Sequence, residues 1–213
     1  DASTQEFLQA TCLLERFSAA LADRLTESCN GREMLEALER AGLFIQPVDS
    51  LRQWFAYHPL FACFLQNELS THQPQRVAEL HLRAAEALLE EKMPEEAARH
   101  AVLARDPQRI TQVLQSHGRQ FYRQGRLALL QRCLAVLPES AIAESPLFTL
   151  LQAWASQNQY QSDQVERWLQ AGEAAQKGLH TPEQWQRIEA EVNTEVGGLS
   201  PAARSMRVYV EVS

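Results

Sequence analysis

Four prolines set the rhythm of this chain. Pro74, Pro107, Pro146 and Pro182 are spaced by 33, 39 and 36 residues, and each opens a run of apolar side chains with helical period. Proline suits the first helical turn, where its missing N–H would have no intrahelical partner. Three of the four follow a capping residue, Asp106, Ser145 and Thr181, and Thr181-Pro182-Glu183-Gln184 fits a capping box. The apolar faces between these starts are regular. Val77, Leu80, His81, Ala84, Ala85, Leu88 and Leu89 form the broadest, and Ala97, Ala98, Ala101 and Val102 a narrower one. Ile110, Val113, Leu114, His117 and Phe121 follow, then Leu127, Leu130, Leu134 and Leu137. Leu147, Leu150, Leu151 and Trp154 come next, then Val165, Trp168 and Leu169, and last Trp185, Ile188, Val192 and Val196. Two helices per period of this length predict stacked helical hairpins of tetratricopeptide (TPR-like) type over residues 71–196, with a generic helical bundle as the alternative.

Residues 1–70 follow a different plan. Phe7, Leu8, Cys12 and Leu14 give a first apolar stripe. Ser18 is placed to cap a second helix carrying Leu21, Ala22 and Leu25. Asn30-Gly31 interrupts the chain, and Met34, Leu35 and Leu38 mark a third helix that stops at Gly42. Leu43–Val48 and Gln53–His58 are β-prone and aromatic, with Asp49-Ser50 as turn chemistry between them, so they predict one β-hairpin. Pro47 cannot donate to a ladder, which places its N–H side outward. Leu60, Phe61, Phe64 and Leu65 then predict a fourth helix. Three helices, a hairpin and a helix make a winged-helix arrangement. The expected class is mainly α: a winged-helix domain with one β-hairpin over 1–70, followed by an α-α superhelical array. Residues 197–213 form a tail of strand-like composition after Gly197-Gly198.

Composition narrows the function. Charged residues make up 22% and apolar residues 45% of 213, as in ordinary globular proteins. The formal charge is −7, and residues 1–70 hold ten acids against five arginines. Phosphate backbones need a basic excess, so direct nucleic-acid binding is not expected. The nearest thing to a recognition helix, Arg32–Arg40, sets three glutamates against two arginines. No run of 18 apolar residues suggests a membrane span. Neither a basic n-region nor an apolar h-region follows Asp1. Cys12, Cys63 and Cys133 sit in apolar contexts and are expected to be buried free thiols in a reducing cytoplasm.

Catalytic signatures are missing from the sequence. It holds no GxxxxGK[ST] or GxGxxG phosphate loop, no HExxH or paired-cysteine metal motif and no GxSxG elbow. The expectation is no enzyme, no metal and no cofactor held by this chain alone. His81 and His117 lie on apolar helical faces, whereas His100 is expected to face solvent. Phe121, Tyr122, Trp154, Tyr160 and Trp168 are candidate lining residues for a ligand or partner groove, and equally candidates for core.

One segment concentrates chemistry. Trp54-Phe55-Ala56-Tyr57-His58-Pro59-Leu60-Phe61 gathers aromatics around a single imidazole at a strand-to-helix junction. Placed there, His58 either donates a hydrogen bond to an anionic phosphate near the helix start or bonds locally while the aromatics fill the core.

These segments carry a resemblance. Glu6–Ser18 (EFLQATCLLERFS), Leu35–Phe44 (LEALERAGLF), Trp54–Phe61 (WFAYHPLF), Leu80–Glu86 with Pro94–Ala101, and Leu150–Trp154 (LLQAW) resemble, in order and spacing, the ATP-dependent LuxR-family transcriptional regulators of MalT-like type. The likeness runs from about residue 6 to about residue 175. It implies a signal-transduction ATPase of which this chain is the middle. An N-terminal ATPase module of the same protein would bind ATP and ADP, a helical superhelix would receive an inducer or regulatory protein, and a C-terminal helix-turn-helix would bind DNA. It also implies a role for His58, whose position in related ATPases touches the β-phosphate of ADP in the resting state. Pro59 stands where the family motif usually has Asp, so the correspondence is by position. The function expected from the resemblance is regulatory signal relay in the cytoplasm. A free-standing helical-repeat scaffold for a partner protein is the alternative, and an enzyme the weakest reading.

Overall fold

The computed structural model describes residues 2–157 and 162–179. Two compact units divide the chain at Arg109 and Ile110. The Thr181-Pro182 start, the Trp185–Val196 face and the 197–213 tail lie outside the described residues, as do Tyr160 and His180.

The first unit begins with α1 (Ala2–Thr11), β1 (Phe17–Ser18), α2 (Ala19–Thr26) and α3 (Gly31–Arg40). Ser18 ends β1 and caps α2 at once, its hydroxyl oxygen accepting the Leu21 N–H at 3.2 Å. Asp23 on α2 reaches across the following turn, its Oδ1 accepting the Gly31 N–H at 2.7 Å and so fixing the start of α3. A side chain does not fit at residue 31: a Cβ there would stand 2.7 Å from the Ala19 carbonyl oxygen. Gly42, at φ +67°, ends α3. The Leu43 N–H bonds to Leu38 O and the Gly42 N–H to Glu39 O, the paired bonds of a Schellman cap.

β2 (Ile45–Pro47) and β3 (Trp54–Tyr57) form the expected hairpin. Asp49 closes its loop by accepting the Gln53 and Trp54 N–H groups at 2.9 and 2.7 Å. The sheet has three strands rather than two, in the order β1-β3-β2, antiparallel throughout. β2 is therefore an edge strand, which is where Pro47 belongs. Then come α4 (Pro59–His72), α5 (Pro74–Glu90) and α6 (Pro94–Ala104). The core is built on Phe7, Phe17, Leu21, Leu25, Leu35, Leu38, Leu69 and Leu88, all fully buried or nearly so. Phe17 packs between Phe7 and Tyr57, with ring centroids at 6.3 and 5.1 Å. Thr11 gives its hydroxyl proton to Phe7 O at 2.7 Å, so in its 2.7 Å contact with Tyr57 it accepts from the phenol. α5 packs on α2, α4 and α6. Arg24 ties α2 to Glu90 and Glu91, and Arg76 pairs with Glu6.

α7 (Pro107–Arg123) leads into the second unit, followed by α8 (Leu127–Leu134), α9 (Glu139–Ala143), α10 (Pro146–Gln157) and α11 (Ser162–Leu179). Proline starts α5, α7 and α10 as expected, and also α4 and α6. Asp106 and Ser145 act as caps, accepting the Arg109 and Phe148 N–H groups. Ile110, Val113, Leu114, Phe121, Leu130, Leu134, Leu150, Leu151 and Leu169 fill this unit's core. Gly118 lets α7 approach α10 closely, since a Cβ at that position would meet Leu151 Cδ1 at 2.6 Å.

The fourth helix forms as expected; α4 buries Leu65 and Leu69 and turns Leu60 and Phe64 to solvent. Two expectations are corrected. Cys63 lies on the exposed side of α4, whereas Cys12 and Cys133 are buried. His100 is buried rather than solvent-facing. Alanines 97, 98 and 101 are all fully buried, and α6 packs so closely on α5 that the buried arc widens to take in position 100.

Candidate functional site

The strand-to-helix junction at Tyr57-His58-Pro59 is the chemically distinctive part of the first unit. β3 delivers Tyr57 into the core and His58 to the surface. Pro59 then starts α4 at a position where no N–H is missed. His58 is the N-cap of this helix. Its Nδ1 accepts the Leu60 N–H at 3.3 Å, and its own backbone N–H donates to Phe44 O at 2.7 Å. A ring that accepts at Nδ1 carries its neutral-form proton on Nε2. His58 thus offers one N–H donor from an exposed imidazole held by its backbone on both sides. That is the chemistry needed to reach a phosphate oxygen on a neighbouring body, and local bonding accounts for only half of the ring.

Phe44 faces this histidine. Its ring centroid lies 6.5 Å from that of His58 and 5.7 Å from that of Phe61. It adopts φ 49°, a left-handed conformation that costs a bulky L-residue about 1–2 kcal/mol. The ring is nonetheless 63% exposed, so burial within this unit does not explain the conformation. Leu60 is 77% and Phe64 57% exposed on the adjoining turns of α4. With Pro59 and Cys63 they make an apolar face around His58. Residues 53–67 contain no Asp, Glu, Lys or Arg, so nothing in that stretch opposes desolvation by a formal charge.

On the other side of the wing is a cleft of about 580 Å³ between α3 and the β2–β3 loop, lined by Ser18, Arg32, Leu35, Glu36, Arg52 and Trp54 among others. Its charges are paired: Arg32 with Glu36 at 3.3 Å, and Arg52 with Glu39. The Arg16 guanidinium sits 5.2 Å over the Trp54 ring.

The second unit separates the aromatic candidates. Phe121 is fully buried and unavailable to a ligand; it was a core residue and not a groove residue. Tyr122 and Trp154 stack face to face, with centroids 4.1 Å apart at 16°, and both are half-buried. Trp168 lines a different place, a cleft of about 390 Å³ with Gln131, Leu134, Ile142, Gln152 and Ser156, and carries the Arg167 guanidinium 5.4 Å over its ring. His117 is half-buried and stacked on Phe121.

Sequence reasoning missed one constellation. His81 on α5 and His100 on α6 meet with their Nδ1 atoms 2.9 Å apart. Burial lowers the pKa of both rings from 6.5, that of His100 to about 4, with His81 and Arg99 adding to the effect on His100. Both histidines were visible on helical segments, but only the register between the two helices brings them together. Among the described residues, no group of three or more His, Cys, Asp or Glu is placed to hold a metal ion. No described helix is long and apolar enough to cross a membrane.

The winged-helix order of the first unit agrees with one comparison. Residues 1–77, from α1 into the first turn of α5, match the family model described as the MalT winged helix domain.

Proposed function

We propose that this chain is the regulatory and signal-relay part of an ATP-dependent, LuxR-family transcriptional activator working in the cytoplasm. Its winged helix docks on an ATPase module of the same protein, and its helical array, of tetratricopeptide type, receives an inducer or a regulatory protein. The chain itself performs no catalysis; ATP and ADP are held by the neighbouring module. The observation that carries the reading is the uncharged apolar face of Phe44, Leu60 and Phe64 around the exposed His58 imidazole.

Docking through that face removes apolar surface from water and brings the Nε2–H of His58 to the rim of a nucleotide site. A donor there favours ADP, whose terminal β-phosphate is the acceptor, and so stabilises a closed resting state. An inducer on the helical array opens that state only if it binds the open form more tightly than the closed one. The stacked Tyr122 and Trp154 pair and the Trp168 cleft are the places in the second unit with aromatic surface to offer such a ligand.

The test is His58→Ala in the regulator that carries the ATPase module. Loss of one hydrogen bond to a charged group, worth about 1.5–3 kcal/mol, predicts ADP dissociation faster by roughly one to two orders of magnitude, together with raised transcription without inducer. An unchanged ADP off-rate with unchanged basal transcription refutes the role of His58.

A further inference from the structure

We propose that the His81–His100 contact is a tautomer-matched latch that holds α6 against α5 and releases on uptake of two protons. The geometry imposes the tautomers. Two Nδ1 atoms at 2.9 Å share one hydrogen, so one ring carries its proton on Nδ1 and the other on Nε2. Both rings are buried, 8% and 7% exposed, and lie 5.0 Å apart between centroids. The first added proton enters at the bare Nε2 of the donor ring and leaves the shared bond in place. The second has only the Nδ1 of the acceptor ring to occupy. Both Nδ1 atoms then carry hydrogen, the bond has no acceptor, and two imidazolium charges share a buried site. Opening the hairpin relieves all three penalties at once.

The ionisable surroundings do not offset those charges. Arg99, beside His100 on α6, acts on His100 with the same sign as an added proton. It is met at 3.4 Å by Glu15, from the segment before β1. The other ionisable groups on α6 are Glu95 and Glu96. On α5, Arg76 pairs with Glu6, Arg83 with Glu27, Glu86 with Arg109 and Glu90 with Arg24; Glu79 is the remaining carboxylate. From α2, Asp23 is taken by the Gly31 N–H and Arg24 by Glu90 and Glu91. From α4, Glu68 and His72 face each other. The effect of burial, His81 and Arg99 on His100 runs toward loss of the proton.

The sign of the pH dependence follows. In the opened or unfolded chain the two imidazoles take up protons near the ordinary value of 6.5, whereas His100 in the closed hairpin resists until about pH 4. The closed form binds fewer protons, so its advantage is complete above pH 6.5 and falls as pH drops from 6.5 toward 4. From His100 alone the ratio of closed to opened chain falls on the order of 100-fold across that window.

The experiment has two arms on the full 213-residue chain. Long-range ¹H–¹⁵N spectra of the histidine rings are expected to show two rings in opposite tautomers at pH 7.5, with His100 still unprotonated at pH 5.5. Urea denaturation between pH 7.5 and 4 then compares the wild type with His81→Leu/His100→Leu, which replaces both polar partners by apolar groups of similar size. That double variant is expected to hold its stability at pH 7.5 and to escape on the order of 100-fold of the acid loss. His58, His72, His117 and His180 are common to both chains and cancel. Two rings of the same tautomer, ordinary titration near pH 6.5, or parallel acid loss in both chains would each overturn the latch. Should the double variant not fold, the ring spectra of the wild type decide alone. The inference does not depend on docking at His58, and either can fail without the other.

Discussion

Phe44→Gly separates the demands of folding from those of docking. The backbone at residue 44 is left-handed, and glycine adopts that conformation without the Cβ conflict, which returns about 1–2 kcal/mol. Against this stands the lost ring. Full burial of a phenyl group is worth about 1.5–3 kcal/mol. The Phe44 ring is 63% exposed, so its contacts with Phe61 and His58 amount to roughly a third of that, about 0.5–1 kcal/mol. Glycine's extra freedom in the unfolded chain costs another 0.5–1 kcal/mol or about that. The terms nearly cancel, and the expected change in stability lies within about 1 kcal/mol of zero. Phe17→Ala supplies the contrast, because that ring is fully buried between Phe7 and Tyr57, and its loss is expected to cost about 3–5 kcal/mol. Urea denaturation at pH 7.5, followed by far-ultraviolet circular dichroism, measures both. In the regulator with its ATPase module, Phe44→Gly is expected to weaken ADP retention despite the intact fold. A loss of more than about 2 kcal/mol in Phe44→Gly would place this ring in the core and refute the docking argument.

Two further changes probe the frame that carries the site. Gly31→Ala puts a Cβ 2.7 Å from the Ala19 carbonyl and 2.8 Å from Asp23 Oδ1, so α2 and α3 must separate; a destabilisation of about 1–3 kcal/mol is expected in urea, and an unchanged midpoint contradicts the packing. Tyr57→Phe removes the donor that Thr11 accepts while Thr11 keeps its bond to Phe7 O; thermal or urea melts are expected to show a loss of about 1 kcal/mol, and a stabilised variant would contradict the assigned direction of the bond.

Much of this architecture is legible from local chemistry. Prolines mark helix starts because a missing N–H costs nothing there, and Asp49 with its β-prone flanks marks the wing. Gly42 marks the end of α3 because its φ of +67° favours glycine. The ends of α5 and α6 carry no glycine signal, since Lys92 and Arg105 take the left-handed position instead. β1 escaped because it is two residues long and Ser18 already reads as a cap. α4 was legible as a helix, but the face it buries was not. Leu60, Phe61, Phe64 and Leu65 share the spacing of a core face, but period alone does not say whether an apolar side chain meets its own interior or another body. Phe44 has the same ambiguity, and its backbone strain has no trace in composition. The His81–His100 pair depends on inter-helix register, which no single-helix pattern encodes.

Cys63 is a built-in reporter for the central claim, exposed on α4 one residue from Phe64 and three from Leu60. With Cys29, the other exposed thiol, replaced by serine, the rate of maleimide labelling at Cys63 reads directly whether the face is covered. The account predicts fast labelling in the 213-residue chain, strong protection in the ADP-bound regulator that carries the ATPase module, and recovery of labelling with ATP and inducer. Equal rates in all three states would contradict it.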